Sequence, residues 1–109
     1  MSQTAPGTFS GDYRGNFAGG LSSPVTPFFG RYGGVPTFNI TNAIFTYNDI
    51  SQLTGTFDTD AGAVIGPNNA EVSFTQSGTD YTFTISGVLQ SVLNESYAIS
   101  GWIEWIDTT

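Results

Sequence analysis

Carboxylates are the side chains in this sequence best suited to chemistry, and there are nine of them among 109 residues. Asp58 and Asp60 stand two residues apart and precede Gly62, which is the spacing at which calcium-binding loops begin. The later acidic ligand of such a loop is missing, and Asp followed by Gly is also ordinary turn chemistry. We therefore interpret the segment as a turn and keep the two aspartates only as weak metal candidates.

Asp12 and Glu104 form a second carboxylate constellation, because the predicted strands place both on the outer surface. A glycosidase requires only two carboxylates at a suitable separation. Nine acids in so short a chain produce such pairs by chance, and a domain of this size leaves little room for a substrate cleft. The pair is a weak basis for catalysis.

Three residue types that carry much of enzyme chemistry are missing, since the chain contains no Cys, no His and no Lys. Ser-His-Asp and Cys-His catalysis, Schiff-base chemistry, and metal sites built on thiolates or imidazoles are excluded with them. The sequence therefore predicts a protein that is not an enzyme and that carries no cofactor.

The charge balance restricts the partners. Arg14 and Arg31 are the only basic residues, and the net charge is -7. Nucleic-acid binding requires a basic surface, and an anionic membrane repels an acidic protein. We therefore expect neither nucleic acid nor membrane as a partner. The N-terminal segment 1–7 lacks the features of a signal peptide, so the location is left open between a virion and an extracellular assembly.

Aromatic rings are the other side chains with binding potential, at 15% of the residues. The Gly- and Pro-rich segment 18–36 is predicted to be one long loop, and it carries Phe28, Phe29, Arg31 and Tyr32. Loops of this length are uncommon in compact domains and are often functional. Two interpretations stay open: the rings close one end of the domain, or they form an exposed aromatic and arginine contact of the type favoured at interfaces.

The last segment, 97–107, is predicted to be a strand that is apolar on both faces. Trp102, Glu104 and Ile106 lie on its outer face, opposite the face that carries Trp105. A strand that is apolar on both sides is usually covered on both sides. We therefore predict that the outer face contacts a second subunit, with stacking of a sugar on the rings as the alternative.

The elements that position these side chains are all predicted to be strands, because their apolar residues alternate and helical periodicity is absent. Segment 8–17 is predicted to be one strand with Phe9, Tyr13 and Phe17 inward. The glycines between these rings leave gaps over which aromatic side chains of the next strand can lie.

Two further segments carry clear strand signals. Segment 37–47 needs a bulge near Asn42 to bring all its large apolar residues to one face. Segment 71–85 is predicted to be a hairpin with Gly78 in its loop and with Tyr81 on the core face of the returning strand. Together these patterns favour an antiparallel sheet that curves around an aromatic core.

The sequence thus predicts a single all-β domain over 1–109, a sandwich or small barrel of about seven strands, with an N-terminal arm at 1–7. The predicted function is structural: a homo-oligomer or part of a larger protein assembly, such as a virion decoration, a fibre component or a surface-assembly module. A carbohydrate-binding lectin is the first alternative, and a small-ligand-binding β-barrel is the second.

Overall fold

The computed structural model describes residues 3–12, 14–22, 25–33 and 37–106, and its regular structure is almost entirely β. The single short helical element is the 3₁₀ turn Ile50–Gln52. The strands are β1 Gln3–Gly11, β2 Asn16–Ser22, β3 Val25–Gly33, β4 Phe38–Tyr47, β5 Gly55–Thr59, β6 Val64–Ile65, β7 Asn69–Thr75, β8 Thr82–Val88, β9 Tyr97–Ala98 and β10 Ser100–Trp105. The all-β prediction is confirmed, with ten strands in place of about seven.

Eight of these strands close into an antiparallel barrel, which is one of the two architectures predicted. Around the barrel the order is β1, β2, β3, β10, β5, β7, β8 and β4, and β4 pairs with β1 again. The pairing of β5 with β7 closes the ring. β6 follows β5 along β7, and β9 pairs with β6, so these two short strands extend the barrel wall.

Aromatic side chains fill the barrel interior. Eight of the nine phenylalanines are buried, together with Trp105. Their rings, together with that of Tyr32, lie in a continuous network of stacked, tilted and edge-on contacts, with centroid distances from 4.3 to 6.4 Å. An eight-stranded barrel encloses a space that side chains can fill completely. The interior is therefore a packed core, and contacts with other molecules are left to the outer surface.

Glycines in β1 make room for these rings. A Cβ at Gly11 would lie 2.5 Å from Cε1 of Phe38 and 2.6 Å from the Tyr32 hydroxyl oxygen. A Cβ at Gly7 would lie 2.6 Å from Cε1 of Phe45. Because real Cβ atoms do not approach other atoms so closely, only glycine fits at these places. The prediction that rings lie over the glycine gaps is confirmed.

Segment 8–17 is a hairpin, so the prediction of one continuous strand was wrong. β1 ends at Gly11 and β2 begins at Asn16. The carboxylate of Asp12 accepts hydrogen bonds from the backbone N–H groups of Arg14 at 2.8 Å and Asn16 at 3.0 Å. Gly15 turns the chain at φ +84°. Alternation alone did not reveal the turn, because Phe9 and Phe17 on either side of it are both odd-numbered and both point inward. Tyr13, which was predicted to face inward, lies outside the described residues.

Asp12 gives this turn a pH dependence. The backbone N–H of Asn16 is the main group that lowers the pKa of Asp12 below 3.8. A carboxylate whose pKa is lower in the folded than in the unfolded chain stabilises the fold. This stabilisation is complete above the unfolded-state pKa and is lost as the pH falls through the folded-state pKa. We expect Asp12→Asn to be less stable than the wild type near neutral pH, with the difference shrinking as the pH falls through the folded-state pKa of Asp12.

Urea unfolding at several pH values measures this difference directly. Asp80→Asn is the matched control, because Asp80 is an exposed loop residue and its substitution changes the net charge equally. A difference between Asp12→Asn and wild type that stays constant with pH would contradict the role of the charge.

The described residues 18–22 and 25–33 lie in strands and not in a loop, and the described residues 3–7 lie in β1 and not in an arm. β2 and β3 pair through seven residues each, and β1 begins at Gln3. Residues 1–2, 23–24 and 34–36 lie outside the described part of the chain. Gly19, Gly20, Pro27 and Gly30 stand within strands, and the missing Cβ of the three glycines allows close approach of neighbouring backbones.

The remaining strand predictions are largely confirmed. The pairing of β4 with β1 shifts register so that Thr41 and Asn42 are both exposed, which is the predicted bulge. β7 and β8 form the predicted hairpin, with Gly78 at φ +83°. Tyr81 differs from its prediction: it precedes β8 and is 37% exposed.

Candidate functional site

An outward-facing surface on β3 and β10 gathers five of the predicted contact residues. In the register of the two strands, Trp102 lies opposite Arg31, and Glu104 lies opposite Phe29. The backbone N–H of Ile106 donates to the carbonyl of Pro27 at 2.9 Å, so the residue that follows β10 is held beside β3. We call this surface the β3/β10 patch; it consists of Phe29, Arg31, Trp102, Glu104 and Ile106.

The β3/β10 patch is apolar at its centre. Phe29 is 45% exposed, whereas the other eight phenylalanines of the chain are buried in the core. Its ring lies edge-on to the half-buried indole of Trp102, with centroids 6.3 Å apart. Ile106 is 41% exposed. Arg31 and Glu104 are both exposed, so the apolar centre is accompanied by one positive and one negative side chain.

Phe28 and Tyr32 do not belong to this patch, so their prediction as contact residues was wrong. Phe28 is 2% exposed and packs edge-on against Trp105 inside the barrel. Tyr32 stacks on Phe17, and its hydroxyl donates to the carbonyl of Asp12 at 2.8 Å. Burial raises the pKa of Tyr32 to about 12. Because segment 25–33 is a strand, alternate side chains point inward and outward.

The structure does not assemble a metal site around the weak calcium candidates. Asp60 accepts a hydrogen bond from the Thr75 hydroxyl at 2.7 Å, and Asp58 lies on β5 opposite Trp102. Within the described ranges, no three acidic side chains come together. The carboxylate of Asp12 is engaged in its own turn. A turn is present at Ala61 and Gly62, with Gly62 at φ +90°, whereas Asp58 belongs to β5.

A second surface, on β7 and β8, did not emerge from the sequence. The paired residues at the start of β7 and the end of β8 line an open groove of about 260 Å³. We call it the β7/β8 groove; its lining residues are Asn69, Ala70, Glu71, Ser86, Gly87 and Val88. Val88 is 71% exposed, and Ile44 lies opposite Ser86 on β4. One sequence signal for this apolar surface was available: Ile44 alternates with the inward-facing Ala43 and Phe45, so it had to face outward.

The fold and these two surfaces define a class: a small closed antiparallel β-barrel with a ring-filled interior and an apolar outer patch. No family model matches the chain, and no curated protein or solved structure shows significant similarity to it. In the part of the chain that the structure describes, no helix has the length and hydropathy to cross a membrane.

Proposed function

We propose that this protein is a non-enzymatic structural module that assembles with copies of itself through the β3/β10 patch. The observation that carries the proposal is the exposure of Phe29, beside the half-buried Trp102, on a barrel that buries its other phenylalanines. Contiguous exposed apolar surface on a soluble protein marks a contact site more often than it marks chance.

The composition of the patch suits a protein interface. Trp and Arg are enriched among the residues that contribute most to binding, and both are present here. Complete burial of one large apolar side chain contributes about 1.5–3 kcal/mol. Phe29 is 45% exposed, Ile106 is 41% exposed and Trp102 is half-buried, so a contact buries only the remaining part of each side chain. This burial offsets a part of the free energy that association costs, about 4–15 kcal/mol.

Light scattering over a range of concentrations tests the proposal. We expect the wild type to exceed the monomer mass of 11.6 kDa, and we expect Phe29→Ser and Trp102→Asp each to weaken association at least tenfold. Tyr81→Ser is the control, because it removes an exposed ring on a different part of the barrel. A wild type that stays at 11.6 kDa at every concentration would overturn the proposal.

Carbohydrate binding is the second candidate, and it rests on the same exposed rings. An aromatic face packs against the apolar face of a sugar, and Arg31 and Glu104 supply hydrogen-bonding groups at its edge. This function predicts a change in Trp102 fluorescence on titration with a sugar identified on a glycan array. It also predicts that the response persists in a monomer, which separates it from self-assembly.

A further inference from the structure

The β7/β8 groove has the size of a single aromatic side chain. Its volume is about 260 Å³, below the range of about 300–1,000 Å³ typical of small-molecule sites. An apolar cavity of about 150 Å³ is already sufficient for benzene. Ser86 is the small outward-facing residue of the lining, and it leaves open space that a larger side chain would fill; Ala70 and Gly87 face the core and contribute backbone to the lining.

The β3/β10 patch carries a side chain of that kind. Phe29 is the exposed phenylalanine of the chain, and it stands on a strand whose backbone is fixed between β2 and β10. A ring on a paired strand loses little conformational freedom on binding, because its backbone is already ordered. Phe29 therefore has the position and the size to enter a groove on another copy.

Charge supports the same pairing. Glu71 is an exposed acid that lines the groove, and Arg31 follows Phe29 by two residues on the same face of β3. Two residues of strand span about 7 Å, so a ring seated in the groove brings the guanidinium within reach of the carboxylate. The groove lining contains no basic residue, and Arg31 is one of only two in the sequence.

The two surfaces are different parts of the barrel wall. β5 stands between β10 and β7 in one direction, and β2, β1 and β4 stand between β3 and β8 in the other. The β3/β10 patch and the β7/β8 groove therefore share no strand. Contact between two different surfaces adds subunits in one direction and produces rings or filaments, rather than a closed pair.

We propose that copies of this chain associate head to tail, with Phe29 of one copy in the β7/β8 groove of the next and Arg31 paired with Glu71. The inference rests on the proposed self-assembly and specifies its geometry. A symmetric contact between two β3/β10 patches is the competing arrangement, and it would leave the groove empty.

Charge reversal distinguishes the two arrangements. We expect Arg31→Glu and Glu71→Arg each to weaken association at least tenfold, because each places like charges together at the contact. The double variant restores opposite charges and the net charge of -7, so we expect it to regain most of the affinity. Asp80→Arg is the control for Glu71→Arg, since it makes the same change of net charge in the β7–β8 loop.

Mixing two defective chains gives a second, independent readout. Phe29→Ser lacks the inserted ring, and Ser86→Phe fills the groove from its floor. Each variant alone is expected to stay near 11.6 kDa. In a mixture, the intact groove of the first meets the intact Phe29 of the second, so one junction forms and growth stops at twice 11.6 kDa, about 23 kDa.

The outcomes separate failure of the geometry from failure of the proposed function. A wild type that remains monomeric overturns both the proposed self-assembly and the head-to-tail contact. A wild type that assembles while Glu71→Arg has no effect, or while the double variant regains nothing, overturns the head-to-tail contact alone. Circular dichroism confirms that each variant is folded, and if Ser86→Phe fails to fold, the charge-reversal set decides the question.

Discussion

Gly30→Ala is expected to destabilise this barrel by about 3 kcal/mol or more, a large part of the 5–15 kcal/mol that stabilises a typical domain. A Cβ at Gly30 would lie 2.6 Å from the Cα of Ile103 and 2.8 Å from the carbonyl carbon of Trp102. Both atoms belong to the backbone of β10, which cannot move aside as a flexible side chain can. The substitution would separate β3 from β10, the two strands that carry the β3/β10 patch.

Gly33→Ala is the matched control for this prediction. Gly33 lies on the same strand, and a Cβ there would meet no atom within 4 Å. For a domain of this size, each 1 kcal/mol corresponds to about 4–8 °C in Tm. Thermal unfolding should therefore place Gly30→Ala well below Gly33→Ala, and equal melting temperatures would show that β3 and β10 are not in close contact.

Phe83→Ala is expected to destabilise the protein by about 3–5 kcal/mol, because it removes a ring from the centre of the core. Phe83 stacks on Phe74 with centroids 4.8 Å apart and meets the ring of Phe57 at 5.0 Å. It also packs edge-on against Trp105 at 5.2 Å. Its loss leaves a cavity that several rings on different strands cannot fill together.

Tyr81→Ala tests whether position or residue type decides that effect. Tyr81 stands two residues before Phe83 and shares its parity, yet it is 37% exposed. We expect its removal to change the free energy of unfolding by about 0.5 kcal/mol or less. Urea denaturation of both variants at one protein concentration makes the comparison, and a similar loss in both would show that the core is not organised around Phe83.

The separation of core and surface makes fold and assembly independently testable. Phe29 and Glu71 are exposed, whereas the rings that hold the barrel together are buried. The proposed association would add stability that depends on protein concentration, because it would involve only the folded chain. Substitution of Phe29 should therefore remove the concentration dependence of Tm while leaving the Tm of the dilute protein nearly unchanged.

Local patterns were sufficient to predict much of the wall of this barrel. In β10, the two-residue alternation of a strand was sufficient to predict that Trp102 and Glu104 face outward and that Ile103 and Trp105 face inward. The bulge at Asn42 was equally legible, because a shift of parity within one apolar run requires an extra residue. The outward position of the patch residues on β10 follows from the same alternation.

The long segment 18–36 shows where local patterns fail. Glycine and proline have low strand propensity, so the segment was predicted to be a loop, and Phe28 and Tyr32 were assigned to the surface. Gly30 instead lies against the backbone of β10, which is 70 residues away in sequence. Residue 30 has no space for a Cβ because β10 lies against it. The residues next to Gly30 in the sequence carry no information about β10.

The sequence by itself determined the β class, the aromatic core, the acidic surface and the absence of imidazole, thiol and amine chemistry, because these depend on composition and short-range alternation. The tertiary structure decided that the sheet closes through β5 and β7, that Phe29 faces outward while Phe28 faces inward, and that a groove opens on β7 and β8. The reason is physical. The closure of the barrel and the positions of its outer surfaces arise from pairing between strands that are distant in the sequence, and the register of that pairing depends on the whole barrel.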